Sequence, residues 1–389
     1  MVFILLASLA SSAQNPLWMR YPAISPDGSQ VAFSYKGDIY KVSINGGSAV
    51  RLTTHEAFDS NPVWSPKGDQ IAFISDRKGA KDIYIMSSEG GAAKRLTTHS
   101  ATENLWTFTP DGKFIVFSAS YQDPVKSVLF PTSRFSEVYK IPTDGGRSER
   151  IAAFPADKIN FDKDGQKFLY QDVKGFENPW RKHHSSSVTR DILEYDMKNG
   201  THKKLIDREG EDTDPVYSPD GKALYFLSER SGTFNVYTAP LDNSSDAKQL
   251  TNFKFHPVRF LSVANNGILC FGYDGEIYTL RQGSTHPQKL NIFISTDVED
   301  EQIKKMSFTS GATSASNSPD GKQIAFTVRG DVFVTSADYS TTKQITKTVA
   351  EEANVNFGPD NRSLVYSSYR DGYWNVYIAK IARKEDPNF

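Results

Sequence analysis

The stretch Ser25-Pro26-Asp27-Gly28-Ser29-Gln30-Val31-Ala32-Phe33-Ser34-Tyr35-Lys36-Gly37-Asp38-Ile39-Tyr40 decides the fold. Pro-Asp-Gly is a turn: proline presets φ, aspartate bonds to its own backbone, and glycine accepts positive φ. The apolar triplets Val31-Ala32-Phe33 and Asp38-Ile39-Tyr40 have strand length and strand composition. Gly46-Gly47 and Arg51-Leu52-Thr53 complete the unit. It recurs at Ser65-Pro66-Lys67-Gly68, Thr109-Pro110-Asp111-Gly112 and Ser218-Pro219-Asp220-Gly221, and again at Ser318-Pro319-Asp320-Gly321. Worn copies sit at Asp162-Lys163-Asp164-Gly165, Asn265-Asn266-Gly267 and Gly358-Pro359-Asp360-Asn361. Successive turns lie 40 to 56 residues apart, room for about four short strands each. Four-stranded units of that period are propeller blades, which bury their faces only by stacking on neighbours around an axis. Proline and glycine interrupt any helical period.

Composition agrees with an all-β chain. Aromatics reach 12% (Phe 25, Tyr 18, Trp 5), against 38% hydrophobic overall, with Gly 26 and Pro 19. Lys+Arg 45 against Asp+Glu 46 leaves a net charge of -1. That balance argues against a nucleic-acid stripe or a polybasic membrane patch. The single cysteine, Cys270, excludes an internal disulfide framework and a CxxC metal site and reads as a small core residue. The body of the chain has no apolar run long enough for a membrane span.

The N-terminus is different. Val2 to Ala10 is apolar, and Ser11-Ser12-Ala13 suits signal-peptidase cleavage before Gln14, although no Lys or Arg precedes the run. We read residues 1–13 as a signal peptide and expect export to the periplasm or beyond; the alternative is a hydrophobic first strand in a cytoplasmic protein.

Six turns fall between Asp27 and Asn266. Leu290-Asn291-Ile292-Phe293-Ile294 then reads as a closing strand, and the charged segment after Asp297 as a connector. The expectation is a six-bladed β-propeller over residues 14–295, followed by the first two blades of a second propeller over residues 296–389. The polar end Arg383-Lys384-Glu385-Asp386-Pro387 reads as a blade-to-blade loop cut open.

Candidate sites are few. His183-His184 beside Ser185, Ser186 and Ser187 lacks the third orienting group and the Gly-x-Ser-x-Gly elbow that nucleophilic catalysis on this pattern needs. It reads as a loop insert at the mouth of the ring, with Arg181, His183, His184 and Arg190 as channel or loop contacts. Asn160-x-Asp162-x-Asp164-Gly165 resembles the opening of a calcium loop, but position twelve is Gln171, and the residues occupy the blade-turn position. The acidic run Asp207 to Asp214 reads as a solvated inter-blade loop. The acids preceding the third-strand aromatics, such as Asp38 and Asp82, read as structural hydrogen bonders. Trp64, Trp106, Trp180 and Trp374 read as inter-blade core. No catalytic, cofactor-binding or metal-binding residue is assigned.

The repeated unit resembles the blades of TolB-type and tricorn-type propellers. Two stretches narrow the resemblance. Met19-Arg20-Tyr21-Pro22-Ala23-Ile24-Ser25-Pro26-Asp27-Gly28, running on to Asp38-Ile39-Tyr40, resembles the first blade of tricorn protease homologues. Glu177-Asn178-Pro179-Trp180-Arg181-Lys182-His183-His184, running on to Asp191-Ile192, resembles an insert typical of them. That family pairs a six-bladed with a seven-bladed propeller. Its members are serine peptidases of short peptides whose propellers filter or channel substrates and products. Their catalytic residues lie in a C-terminal domain after a PDZ domain, so none transfers to this sequence. The resemblance implies a non-catalytic, peptide-handling propeller region without a cofactor, with peptides or a protein as partner and oligomerisation through the full-length protein. Two alternatives stay open: a stand-alone TolB-like scaffold that binds a protein in the cell envelope, and a fragment of a prolyl-oligopeptidase-type hydrolase.

Overall fold

The computed structural model describes residues 16–99, 101–121, 136–175, 178, 186–295, 309–338 and 341–389. The proposed signal peptide, Trp180, Arg181, His183 and His184 lie outside them. Among the described residues every regular element is a strand, and no helix is long and apolar enough to cross a membrane.

The first sheet runs Arg20–Ile24, Gln30–Tyr35, Asp38–Ser43 and Val50–Arg51, each strand antiparallel to its neighbour. Five more four-stranded sheets repeat this order, opening with Asp59–Trp64, Glu103–Phe108, Ala156–Phe161, Asp212–Tyr217 and Arg259–Val263. The turn chemistry explains the joint between first and second strands. In the first sheet the Asp27 carboxylate accepts from Ser25 Oγ at 2.5 Å and from the Ser29 backbone at 3.0 Å, while Gly28 takes φ 74°. Those hydrogen bonds hold the Asp27 carboxyl below the usual carboxylate range.

Packing between sheets rests on aromatics of the second and third strands. Phe33, Phe73, Phe117, Phe168, Phe226 and Phe271, one in each of the six sheets, are fully buried. Four of them stack on a third-strand tyrosine, from Phe33–Tyr40 at 5.8 Å to Phe271–Tyr278 at 6.2 Å, and Phe226 packs tilted on Tyr237 at 6.0 Å. Each buried phenylalanine contributes about 1.5–3 kcal/mol. The acids before those tyrosines pair with the fourth strand, as in Asp38–Arg51 at 2.8 Å and Asp82–Arg95 at 2.8 Å. Cys270 is buried in the core shared by the sixth and first sheets.

The sixth sheet meets the first. Ile24 N donates to Ser262 Oγ at 3.2 Å, and Asn265 N donates to the Pro26 carbonyl at 2.8 Å. Gly28 faces the Asn266 side chain here, and its φ of 74° is what calls for glycine, since a Cβ could be met by a shift of that exposed side chain. On the outer edge, Ile292–Phe293 pairs in parallel with Gly47–Ser48, which ties the end of the sixth unit back to the first.

Two further sheets follow. The first is opened by Ala312–Asn317 and has four strands; the second is opened by Glu352–Phe357 and has three. They stack on one another through Val355, Leu364, Val332 and Val334. Their seam with the ring lies beside the second and third sheets. Thr98 Oγ1 donates to Asp386 at 3.2 Å, and a Cβ on Gly79 would lie 3.4 Å from the Gln344 backbone. Trp374 departs from the expected core position: it stands just before the last strand, half exposed, with its ring 5.7 Å from that of Tyr369.

His99 sits in this seam, its ring 4.3 Å from Tyr121. Burial pushes its pKa down to about 4, with Asp386 pulling up and Lys343 adding to the depression. A depressed histidine takes its proton more readily in the unfolded chain, so its stability contribution is lost as pH falls from the ordinary range through about 4. Asp82, raised to about 6 by burial against the pull of Arg95, works oppositely: its contribution is present at low pH and lost as pH rises through about 6. The two offset each other across the same interval. We expect His99→Gln to hold its urea midpoint better than the parent as pH falls from about 6.5 to about 4.5. Parallel curves for the two proteins would show that His99 carries no such penalty.

Candidate functional site

Each of the six inner strands breaks register with its neighbour once. The breaks fall between Arg20 and Ala23, Ser60 and Val63, Leu105 and Thr107, Asp157 and Asn160, Thr213 and Val216, and Arg259 and Ser262. Five of the bulges begin with a left-handed residue: Tyr21, Asn61, Lys158, Asp214 and Phe260, with φ between 50° and 61°. Each stands seven residues before its turn glycine. In the third sheet the bulge is Trp106, one place later. Pro22, Pro62 and Pro215 follow the left-handed residue in three strands, where a bulge has no ladder hydrogen bond for proline to forfeit.

These six residues floor a cavity of about 890 Å³ on the ring axis. The cavity opens on the side of the Pro-Asp-Gly turns, at Pro26, Pro66, Pro110 and Pro219. In five of the six strands no residue ahead of the bulge lines it; in the third, Leu105 does. The floor side chains meet, mostly between adjacent sheets. Tyr21 and Phe260 rings are 4.6 Å apart. Lys158 Nζ lies 2.8 Å from Asp214, 5.6 Å from the centre of the Trp106 ring and 6.0 Å from that of Phe260. Asn61 Nδ2 donates to the Leu105 carbonyl at 2.8 Å.

The wall is electrically lopsided. Its four lysines (158, 163, 167, 203) and four carboxylates (162, 194, 214, 242) all come from the fourth and fifth units. The remaining lining, from the first, second, third and sixth units, carries no charged side chain and is rich in proline and aromatic residues. Behind the floor, Trp106 Nε1 donates to Ser118 Oγ at 2.9 Å, and Ser118 Oγ donates to Asp157 at 3.3 Å. Burial raises the Asp157 carboxyl, and the Arg190 charge opposes that rise.

Arg190 therefore belongs to the support of the floor. Its guanidinium is buried against Glu211, 2.6 Å away, and it does not line the cavity. The acidic run expected to be a solvated loop is partly structural. Glu211 holds Arg190, Asp212 is fully buried beside Arg230, and Asp214 is on the cavity floor. The run begins a strand at Asp212, so its alternate side chains must turn inward. Trp64 is inter-blade core, donating from Nε1 to the Ala23 carbonyl at 2.9 Å, and its edge also lines the cavity; Trp106 lines the cavity too while packing, half-buried, against the core of the third and fourth sheets. Asp162 accepts from the Gln166 and Lys167 backbones as a turn residue, and Asn160 Oδ1 accepts from the Tyr217 backbone. Among the described residues no group of three His, Cys, Asp or Glu side chains is placed to share a metal ion.

The floor residues carry no motif, because their types differ from unit to unit. The legible signal is positional: seven residues before the turn glycine in five units and six in the third. Left-handed backbone at Asn61 makes a direct test. We expect Asn61→Gly to be more stable than Asn61→Ala by about 1 kcal/mol in urea unfolding, since both lose the amide hydrogen bond and alanine alone resists that φ. Alanine at least as stable as glycine would refute the assignment.

A model of the tricorn protease N-terminal β-propeller domain matches residues 16–286. Tricorn protease of Thermoplasma acidophilum is 27% identical over 205 residues, covering 52% of this chain and 18% of that protein. Tricorn protease homolog 1 of Streptomyces coelicolor is 26% identical over 319 residues, covering 82% of this chain and 28% of that protein. The crystal structure of the tricorn protease superposes with a TM-score of 0.59 at 20% identity, over 95% of this chain and 36% of that one. The chain thus spans well under half the length of these tricorn relatives. On the match across residues 16–286, the chain belongs to the tricorn protease N-terminal β-propeller family.

Proposed function

We propose that this chain is the non-catalytic, peptide-handling propeller region of a tricorn-like serine peptidase, holding short peptides on their way to or from a distant active site. The observation that carries the reading is the floored axial cavity. Its volume of about 890 Å³ falls within the ~300–1,000 Å³ usual for small-ligand sites. One half of its wall offers paired charges suited to a peptide's termini and polar groups. The other half offers uncharged proline and aromatic surface suited to side chains of varied sequence.

In this reading residues 14–295 form the six-bladed ring and residues 296–389 open a second propeller. The exposed Val376 and Ile378 on the last sheet support that division, since another blade would cover them. Residues 1–13 act as an export signal, and the protein works in the periplasm or outside the cell.

Calorimetric titration with unblocked peptides of about three to eight residues tests the reading. The chain should bind them without cleaving them. Thr107→Trp, which fills the cavity from its wall, should weaken binding at least about tenfold. Absence of binding across the set, or binding indifferent to Thr107→Trp, would overturn it.

A further inference from the structure

Lys158 is the one cation among the six floor positions. It reaches from the fourth sheet to the rings of Trp106 in the third and Phe260 in the sixth, so its ammonium stands near the axis. Those ring faces favour a cation, and Lys158 already supplies it. Asp214 compensates the charge from one side at 2.8 Å. The side chain of Lys158 is 31% exposed against 11% for Asp214, so the positive half of the pair is the half open to the cavity. An ammonium has three donors, and neither ring face replaces a full acceptor. The other lysines of the wall lie nearer the mouth, where Lys167 faces Glu194 at 3.4 Å and Lys203 donates to the Leu241 carbonyl at 3.2 Å.

We propose that Lys158 anchors the free C-terminal carboxylate of a short peptide at the cavity floor. The inference rests on the peptide-handling reading and adds a direction to it: the peptide enters carboxylate first. Its carboxylate accepts from Lys158, and its side chains lie along the uncharged wall that leads outward from Trp106 and Tyr21 toward Pro66 and Pro26. A charge-assisted hydrogen bond in a recess walled by low-polarity surface is stronger than one at an open surface. A small inorganic anion would use the floor alone and leave that wall empty.

The test compares acetyl-Ala-Ala-Phe as the free acid with the same peptide as its C-terminal amide, by calorimetry on the full chain. The expected result is at least about tenfold tighter binding of the acid. Excess inorganic phosphate should compete only weakly. The preference should disappear in Lys158→Met. Because that variant leaves Asp214 without its counterion, Lys158→Met/Asp214→Asn serves as the second variant and should also lose the preference. Equal binding of acid and amide by the unsubstituted chain would overturn the anchoring role and leave peptide handling standing. Binding of neither form, nor of any unblocked peptide, would overturn both.

Discussion

A single backbone constraint recurs through the ring: one extra residue in each inner strand, left-handed and seven places before the turn glycine in every sheet but the third. Without it an inner strand would run flat past the axis, with alternate side chains directed at neighbouring sheets. The bulge swings one side chain per sheet toward the centre and lets a proline follow where the ladder is broken. The cavity ends at these residues. Its floor is therefore a product of strand geometry, and the residue type at each position is free to vary.

That freedom explains the asymmetry of the site. Aromatic rings at Tyr21, Trp106 and Phe260 fill the centre with flat apolar surface, and Lys158 with Asp214 supplies the one charge pair. The pair is held from behind. Trp106 is tied through Ser118 to Asp157, and Arg190 lies against Glu211 beside it. A charge brought near the axis is tolerable when it is paired and when its support is rigid. The lining splits accordingly into a charged side from the fourth and fifth units and an uncharged side from the others.

Much of this was legible in the sequence. The spacing of the turns and the aromatic triplets define the sheets, because turn chemistry and strand alternation are local properties. Cys270 and Trp64 could be placed in the core from their apolar neighbours alone. Trp106 joins that core but also lines the axial cavity, and Trp374 is half exposed; neither outcome shows in the local pattern, since a tryptophan reads the same whether it faces a neighbour, an axis or solvent. Asp212 and Asp214 looked like members of a solvated run because charge density alone does not reveal where a strand begins.

The sequence by itself determined a repeating all-β chain, its turns, its core aromatics and its resemblance to tricorn propellers. These follow from contacts between residues close along the chain, repeated at a regular period. Only the tertiary structure decided that Lys158 meets Asp214, Trp106 and Phe260, which lie between 52 and 102 positions away along the chain. The reason is physical: that meeting is set by the closure of the ring, where the sixth sheet packs on the first, and no local pattern encodes which bulges then face one another across the axis.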